Sequence, residues 1–216
     1  MNGRSAVRGE VAAHAVIKHR LADAVLFSVT VVELTYLIQQ TPTFGFVDWI
    51  YISQHLLVLV IAFARRAPAA CDHSLRANIA VVASYAYPYL LVLWFGWYPG
   101  NELWPTVGDV LVIVSACASL ISLLSLGRSF GVRPALRHLQ TGGAYRVVRH
   151  PMYLSYVLSD IGYTMQEWNV GAILLVLAGW LSLLYRIRAE ERVLSRDAGW
   201  PAYAALVPYR LFPGIW

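Results

Sequence analysis

Two polar stretches decide how this chain is expected to fold: GGAYRVVRHPMY at residues 142–153 and RIRAEER at residues 186–192. Between them lies a mostly apolar segment, interrupted near its middle by the polar sequence QEWN at residues 166–169. Two apolar runs on either side of a short polar turn predict a helical hairpin. Because the two ends of a hairpin lie side by side, we expect arginine, histidine, tyrosine and paired glutamate side chains to converge there.

The composition predicts an all-α integral membrane protein. Of the 216 residues 58% are hydrophobic and only 13% are charged, and the mean hydropathy is +0.55. Soluble domains carry about 25% charged residues and 45–50% apolar ones. Helices are expected because an unpaired backbone polar group in lipid costs several kcal/mol. The net charge of +5 therefore indicates basic loops facing the cytoplasm, and we predict no nucleic-acid partner.

Five to six transmembrane helices are predicted. A segment of about 20 apolar residues spans a hydrocarbon core of about 30 Å. Four such segments lie at residues 21–39, 47–64, 77–98 and 106–126. Two shorter ones, at residues 151–165 and 170–186, form the predicted hairpin, whose arms need not cross fully.

The basic residues predict the orientation. With the N-terminus in the cytoplasm, all 17 lysines and arginines fall in or at the edges of four inside segments: 1–20, 65–76, 127–150 and the tail after 186. The outside connections carry none, which is the distribution that the positive-inside rule demands. We therefore expect both termini inside. Lys18 is the only lysine, a preference for arginine typical of a GC-rich bacterial genome, so the expected location is a bacterial inner membrane.

The first polar stretch ends in Arg149-His150-Pro151, which predicts a helix start because proline is favoured at the first helical position. The free N–H groups and the dipole of a helix N-terminus attract anions. Tyr153 follows one turn later. The alternative interpretation is a basic collar that anchors anionic lipid.

In the second stretch, Arg186 and Glu190 are four residues apart and share one helix face. A pocket formed by both stretches suits a zwitterionic ligand, whose carboxylate meets arginine and whose cation meets glutamate. The alternative is a solvated helix end with weak ion pairs. Two acids within predicted spans, Glu33 and Asp160, are further candidates, and Asp160 is the better one. Cys71 and Cys117 fall at different depths and predict neither a disulfide nor a metal site.

These residues resemble a known family. Tyr145 to Tyr153, followed by Arg186-x-x-x-Glu190-Glu191 and by a tail with Tyr203, Val207-Pro208 and Pro213-Gly214, is similar to the isoprenylcysteine carboxyl methyltransferases, which are related to membrane phospholipid N-methyltransferases. The resemblance covers roughly residues 125–216. In one departure, Ser155 stands where the family often has glycine.

The resemblance implies S-adenosylmethionine-dependent methyl transfer at the cytoplasmic membrane face to a lipophilic or prenylated acceptor that enters from the bilayer. Residues 1–126 would form four membrane helices and the acceptor channel. Residues 127–216 would form the catalytic region and its cytoplasmic cofactor-binding cap. The residues implied to contact the cofactor are Tyr145, Arg149, His150, Pro151, Tyr153, Glu190 and Glu191. Arg186 would face the acceptor, so Arg186 and Glu190 are the expected catalytic residues. No metal is required.

Two other functions fit the same clusters. One is an intramembrane reductase of the sterol-reductase type that uses NADPH, since the basic residues would also hold a cofactor phosphate. The other is a non-enzymatic lipid-binding protein in which both clusters are interfacial collars.

Overall fold

The computed structural model describes residues 27–28, 30–32, 34–35, 38–39, 45–64, 66–72, 74–98, 100–101 and 103–216. It contains two compact units, Met1–Ala64 and Arg65–Trp216. In the first unit, helix α1 spans Phe46–Ala64 and agrees with the second predicted apolar segment. The described residues between 27 and 39 are also helical. Glu33 and the basic residues of segment 1–20 lie outside the described residues.

The second unit is mostly helical. Its elements are helices α2 (Leu75–Trp97), α3 (Pro105–Leu126), α4 (Pro151–Gln166), α5 (Val170–Leu194) and α6 (Trp200–Leu206), strands β1 (Ala70–Cys71) and β2 (Ala135–Leu136), and short 3₁₀ turns at Gly127–Ser129 and Gly143–Arg146. The two strands pair antiparallel, with Ala70 opposite Leu136. They fall in segments expected to be loops, because a strand of two residues is too short to show an alternating pattern.

Three helices within the described part of the chain are long and apolar enough to cross a membrane: Leu75–Phe95, Pro105–Ser129 and Val170–Leu194. Helix α4 has 16 residues and is about 24 Å long, which is less than a hydrocarbon core of about 30 Å. The helical, apolar character is thus confirmed, whereas five to six crossings with both termini inside stay a prediction.

The predicted hairpin of α4 and α5 is present, but its helices make their closest backbone contacts elsewhere. Helix α4 packs along α3, and α5 packs along α2. Glycines permit the α3–α4 approach: a Cβ atom added at Gly162 would lie 3.0 Å from the Gly108 carbonyl oxygen, and one added at Gly108 would lie 2.7 Å from the Gly162 oxygen. On α5, Gly179 similarly makes room for the ring of Tyr87 from α2. Small residues at crossing points are typical of membrane helices.

Helices α2, α4 and α5 meet at one buried carboxylate. Asp160 on α4 is 6% exposed. Its Oδ2 accepts a hydrogen bond of 2.8 Å from the Tyr87 hydroxyl and another of 2.8 Å from the Trp180 indole N–H. Of the two acids expected within spans, Asp160 therefore has a structural task, because it joins three helices directly beneath the polar end of the hairpin.

We expect Asp160→Ala to lower the thermal unfolding midpoint of the purified protein by at least about 5 °C. The substitution leaves two buried donors unsatisfied, at about 1–3 kcal/mol each. The matched control is Asp109→Ala, which removes an exposed carboxylate that accepts from Gln166 across the α3–α4 contact. This control should shift the midpoint by less than about 2 °C. Equal shifts in the two variants would contradict the role given to Asp160.

Candidate active site

The start of α4 and the last turns of α5 bring the two polar stretches together. The Tyr153 hydroxyl donates a hydrogen bond of 2.8 Å to Glu190 Oε2. Arg149 Nη1 lies 2.9 Å from Glu191 Oε1, and His150 Nε2 lies 3.4 Å from the same oxygen. Pro151 occupies the first position of α4 and is buried. The expected convergence of arginine, histidine, tyrosine and paired glutamate is therefore present in the structure.

The two consecutive glutamates have different surroundings, since neighbouring residues on a helix point about 100° apart. Both oxygens of Glu191 are engaged: Oε1 with Arg149 and His150, and Oε2 with Arg210 Nε at 2.8 Å. Glu190 accepts one hydrogen bond, from Tyr153, among the residues that the structure describes. Glu191 thus ties parts of the chain together, whereas Glu190 retains capacity to bind a ligand.

The C-terminal tail covers the start of α4. The backbone N–H of Arg149 donates to the Tyr209 carbonyl, and that of His150 donates to the Arg210 carbonyl, each at 2.9 Å. Arg149 Nη2 also donates to the Pro208 carbonyl at 2.8 Å. The two backbone donors that precede the proline are therefore occupied by the tail.

Arg186 is buried, and it forms no ion pair with the part of the chain that the structure describes. Its exposed fraction is 5%, and no described carboxylate lies within 4 Å of its guanidinium. Nη1 donates to Ser84 Oγ at 2.8 Å and Nη2 to the Val132 carbonyl at 3.1 Å. The guanidinium carbon lies 5.3 Å from the centre of the Tyr85 ring and 5.2 Å from that of Tyr153. Its Nε has no hydrogen-bond partner among the described residues.

Two adjoining pockets flank these groups, each with about 400 Å³ of empty space, part of it open to solvent. We name them the Arg186 pocket and the His138 pocket. The Arg186 pocket is lined by Tyr85, Leu126, Phe130, Gly131, Tyr145, His150, Met152, Tyr153, Tyr156, Arg186 and Glu190. The His138 pocket is lined by Leu126, Ser129, Ala135, His138, Leu139, Gln140, Tyr145, Arg149, Glu190, Leu194 and Tyr203. Leu126, Tyr145 and Glu190 belong to both.

Tyr145 is held between the pockets by the tail. Its carbonyl oxygen accepts a hydrogen bond of 2.9 Å from the Tyr203 hydroxyl. Burial, and to a smaller extent the charge of Glu190, raises the pKa of Tyr145 well above its usual value. Burial also raises the pKa of Tyr203 to about 12, although Arg149 opposes this shift. Both hydroxyls therefore stay protonated at physiological pH.

Arg149 belongs to the His138 pocket and resembles Arg186 in one respect. Its Nε is buried and lacks a hydrogen-bond partner within the described ranges. Its other contacts are the Glu191 pair, the Pro208 carbonyl and the Trp200 ring at 5.8 Å. Burial lowers the pKa of Arg149, and the Glu191 carboxylate opposes that shift. Each pocket thus contains one arginine with an unsatisfied buried donor.

These features fit the S-adenosylmethionine implied by the sequence. A sulfonium cation is stabilised by carboxylates and by aromatic faces, and Glu190, Tyr145 and Tyr153 provide both. The amino-acid carboxylate of the same molecule requires a cation such as Arg149.

At the departure from the family pattern, Ser155 is buried within α4. Its side chain is 1% exposed, and its hydroxyl donates to the Met152 carbonyl of the same helix at 2.7 Å. The hydrogen-bond donor of this small polar residue is therefore satisfied within α4.

Several residues of the site were not predicted from the sequence. Ser84 and Tyr85 lie in a predicted apolar span, and His138 lies in a predicted loop. Tyr156 was detectable, because it is one turn after Tyr153 on the same predicted helix. The ion pair of Arg210 with Glu191 carries no local signal, since the two residues lie on separate elements.

Comparisons with known proteins confirm the recognised resemblance. Residues 104–197 match the family model described as phospholipid methyltransferase. Protein-S-isoprenylcysteine O-methyltransferase A of Arabidopsis thaliana is 28% identical over 98 residues, which are 43% of this chain and 50% of the relative. Protein-S-isoprenylcysteine O-methyltransferase B of the same plant is 28% identical over 109 residues, which are 47% of this chain and 55% of the relative. The chain thus matches about half the length of these curated relatives.

We expect Glu191→Gln to loosen the tail while leaving the helices folded. The variant lacks the charge that pairs with Arg149 and Arg210, each hydrogen bond to a charged group being worth about 1.5–3 kcal/mol. Hydrogen–deuterium exchange over residues 208–216 should become at least about 10-fold faster. The control is Asp72→Asn, which weakens a 3.8 Å pair with the exposed Arg192 at the same end of α5. Unchanged exchange in the tail of Glu191→Gln would refute the anchoring role of Glu191.

Proposed function

We propose that this protein is a membrane methyltransferase that uses S-adenosylmethionine to methylate a lipophilic acceptor with an anionic head group, such as an isoprenylcysteine-like carboxylate. One observation carries the proposal: two adjoining pockets share Glu190 and Tyr145, and each contains an arginine whose buried Nε has no partner among the described residues. Two anionic groups with a cation between them would satisfy this arrangement. A zwitterionic cofactor beside an anionic acceptor supplies these three charges.

Bound S-adenosylmethionine supplies a methyl group that is already activated as a sulfonium. The protein therefore has to bind and orient the cofactor and the acceptor and to exclude water. Glu190 and the ring faces of Tyr145 and Tyr153 would stabilise the positive charge. The Tyr153 hydroxyl holds the Glu190 carboxylate in place at 2.8 Å. Arg149 and the polar side chains of His138 and Gln140 would contact the remaining cofactor groups in the His138 pocket.

Arg186 favours a carboxylate over an amine as the acceptor. Since no described carboxylate lies within 4 Å of its guanidinium, a bound carboxylate would offset part of the cost of burying this charge. Arginine binds carboxylate with directed, charge-assisted hydrogen bonds. Since a carboxylate has no proton to lose before methylation, no general base is needed. An ammonium acceptor would be repelled by Arg186 and would need a base.

The membrane placement follows from charge and apolar surface. The basic residues lie in segments that the positive-inside rule assigns to the cytoplasm. The catalytic region 127–216 would then face the cytoplasm, where soluble S-adenosylmethionine is available. The apolar helices of residues 1–126 would guide the acceptor from the bilayer.

The first test is cofactor binding by the purified protein in lipid nanodiscs, measured by isothermal titration calorimetry. We expect S-adenosylmethionine and its demethylated product to bind with micromolar affinity, and NADPH not to bind measurably. The variant Glu190→Gln should bind S-adenosylmethionine at least about 10-fold more weakly, because it lacks the charge facing the sulfonium. The matched control Glu167→Gln changes an acid at the opposite end of α4. Binding of NADPH alone would favour the reductase, and binding of neither cofactor by folded protein would favour the lipid-binding alternative.

We expect Arg186→Lys and Arg186→Ala to lower methyl transfer to a prenylated carboxylate by at least about 100-fold while changing cofactor affinity less than about threefold. Lysine keeps the charge but loses the planar fork. The control is Arg188→Ala, which removes an exposed arginine two residues along the same helix. Transfer is measured with a radiolabelled methyl donor, and an unchanged thermal unfolding midpoint verifies that each variant is folded. Loss of cofactor binding in the Arg186 variants would assign Arg186 to the cofactor instead.

A further inference from the structure

Ser84 on α2 contacts Arg186 from a part of the chain that the family match does not include. The match begins at residue 104, and the contact joins residues 102 positions apart. Ser84 Oγ accepts a hydrogen bond of 2.8 Å from Arg186 Nη1. Ser84 is 9% exposed and Arg186 is 5% exposed, so little water competes for this contact.

The Ser84 hydroxyl has a fixed direction. It donates to the Val81 carbonyl one turn earlier in α2, at 2.9 Å. With its proton committed to that carbonyl, the oxygen presents a lone pair to Arg186. Ser84 is therefore a directed acceptor for the guanidinium, and the backbone of α2 sets its position.

The ring contacts of Arg186 leave the rotation of its guanidinium group to be fixed by hydrogen bonds. The rings of Tyr85 and Tyr153, at 5.3 and 5.2 Å, contact the guanidinium without directed hydrogen bonds. Among the described residues, the acceptors of the guanidinium are Ser84 Oγ and the Val132 carbonyl, the latter at 3.1 Å in the segment after α3. The shorter bond is to Ser84, which is part of a regular helix. Ser84 thus determines which way the remaining donors of Arg186 point.

We propose that Ser84 is a positioning residue for Arg186, and that by fixing the guanidinium it makes the site select acceptors with a carboxylate head group. The inference rests on the proposed function for the identity of the acceptor. Ser84 lines neither the Arg186 pocket nor the His138 pocket, so we expect it to make no contact with the proposed cofactor.

Removing the Ser84 hydroxyl has a specific consequence. In Ser84→Ala, Nη1 loses its acceptor, and the guanidinium turns toward other partners or toward solvent. A carboxylate ligand then loses its aligned hydrogen bonds, whereas a neutral carboxamide with the same tail loses little. The ratio of the two affinities therefore reports on the orientation of Arg186, and a general loss of stability leaves this ratio unchanged.

The experiment compares farnesylthioacetic acid with farnesylthioacetamide as ligands of the full chain in nanodiscs. We expect the wild type to bind the acid at least about 10-fold more tightly than the amide, and Ser84→Ala to bind them within about threefold of each other. Ser84→Thr keeps a hydroxyl and should retain most of the preference. S-adenosylmethionine affinity should stay within about twofold of wild type in both variants.

The matched control is Ser115→Ala on α3. Ser115 is 2% exposed, and its hydroxyl donates to the Val112 carbonyl one turn earlier, as that of Ser84 does to Val81. Among the described residues, Arg186 donates to Ser84 and Val132 and not to Ser115, so the acid preference should stay at its wild-type value. A preference lost equally in Ser115→Ala and Ser84→Ala would overturn the inference.

The remaining outcomes separate the inference from the proposed function. A wild type that transfers methyl groups, with a Ser84→Ala variant that keeps the full acid preference, leaves the function standing and refutes the role of Ser84. A wild type that binds no S-adenosylmethionine refutes the function, while the acid and amide affinities, measured without cofactor, still test Ser84. A wild type without any acid preference overturns the inference directly.

Discussion

The buried guanidinium of Arg186 is the constraint on which this site depends. This cation is 5% exposed, has no carboxylate within 4 Å among the described residues, and is held by one hydroxyl, one carbonyl and two aromatic rings. Each of these neutral groups offsets part of the desolvation cost. The Glu190 carboxylate lines the same pocket and attracts the guanidinium from a longer distance. The fold therefore holds a buried positive charge beside a pocket without a directly bonded anion from the described residues, an arrangement that favours a binding role for Arg186.

The two consecutive glutamates have different roles: Glu191 stabilises the structure, whereas Glu190 faces the pockets. Glu191 meets Arg149, His150 and Arg210, so it joins the start of α4, the end of α5 and the tail. Glu190 points about 100° away and faces both pockets, and among the described residues it accepts one hydrogen bond, from Tyr153. If both carboxylates were fully paired, the site would lack a free anion for a cationic ligand. If neither carboxylate were paired, the tail would have no ionic anchor over α4.

The sequence allowed the hairpin and the convergence of its ends to be predicted, because apolar length, a polar turn and a proline at the helix start are local signals. Which helices pack against each other could not be predicted from the sequence. Helix α4 packs on α3 where Gly108 faces Gly162, but a glycine in an apolar span indicates only that another part of the chain approaches closely. The tail contacts to Arg149 and His150 use backbone groups, which every residue has. Ser84 is one hydroxyl in an apolar segment, and only the fold shows that Arg186 lies opposite.

The site also extends beyond the segment that is similar to known methyltransferases. That segment, residues 104–197, contains Arg186, Glu190 and the start of α4. Ser84 and Tyr85 precede it, whereas Tyr203 and Arg210 follow it. The shared residues carry groups suited to a cationic cofactor, and a cofactor is common to many acceptors. The residues outside orient Arg186 and close the tail over α4. Under the proposed function, the acceptor preference is therefore set in part by residues outside the matched segment, on α2 and in the tail.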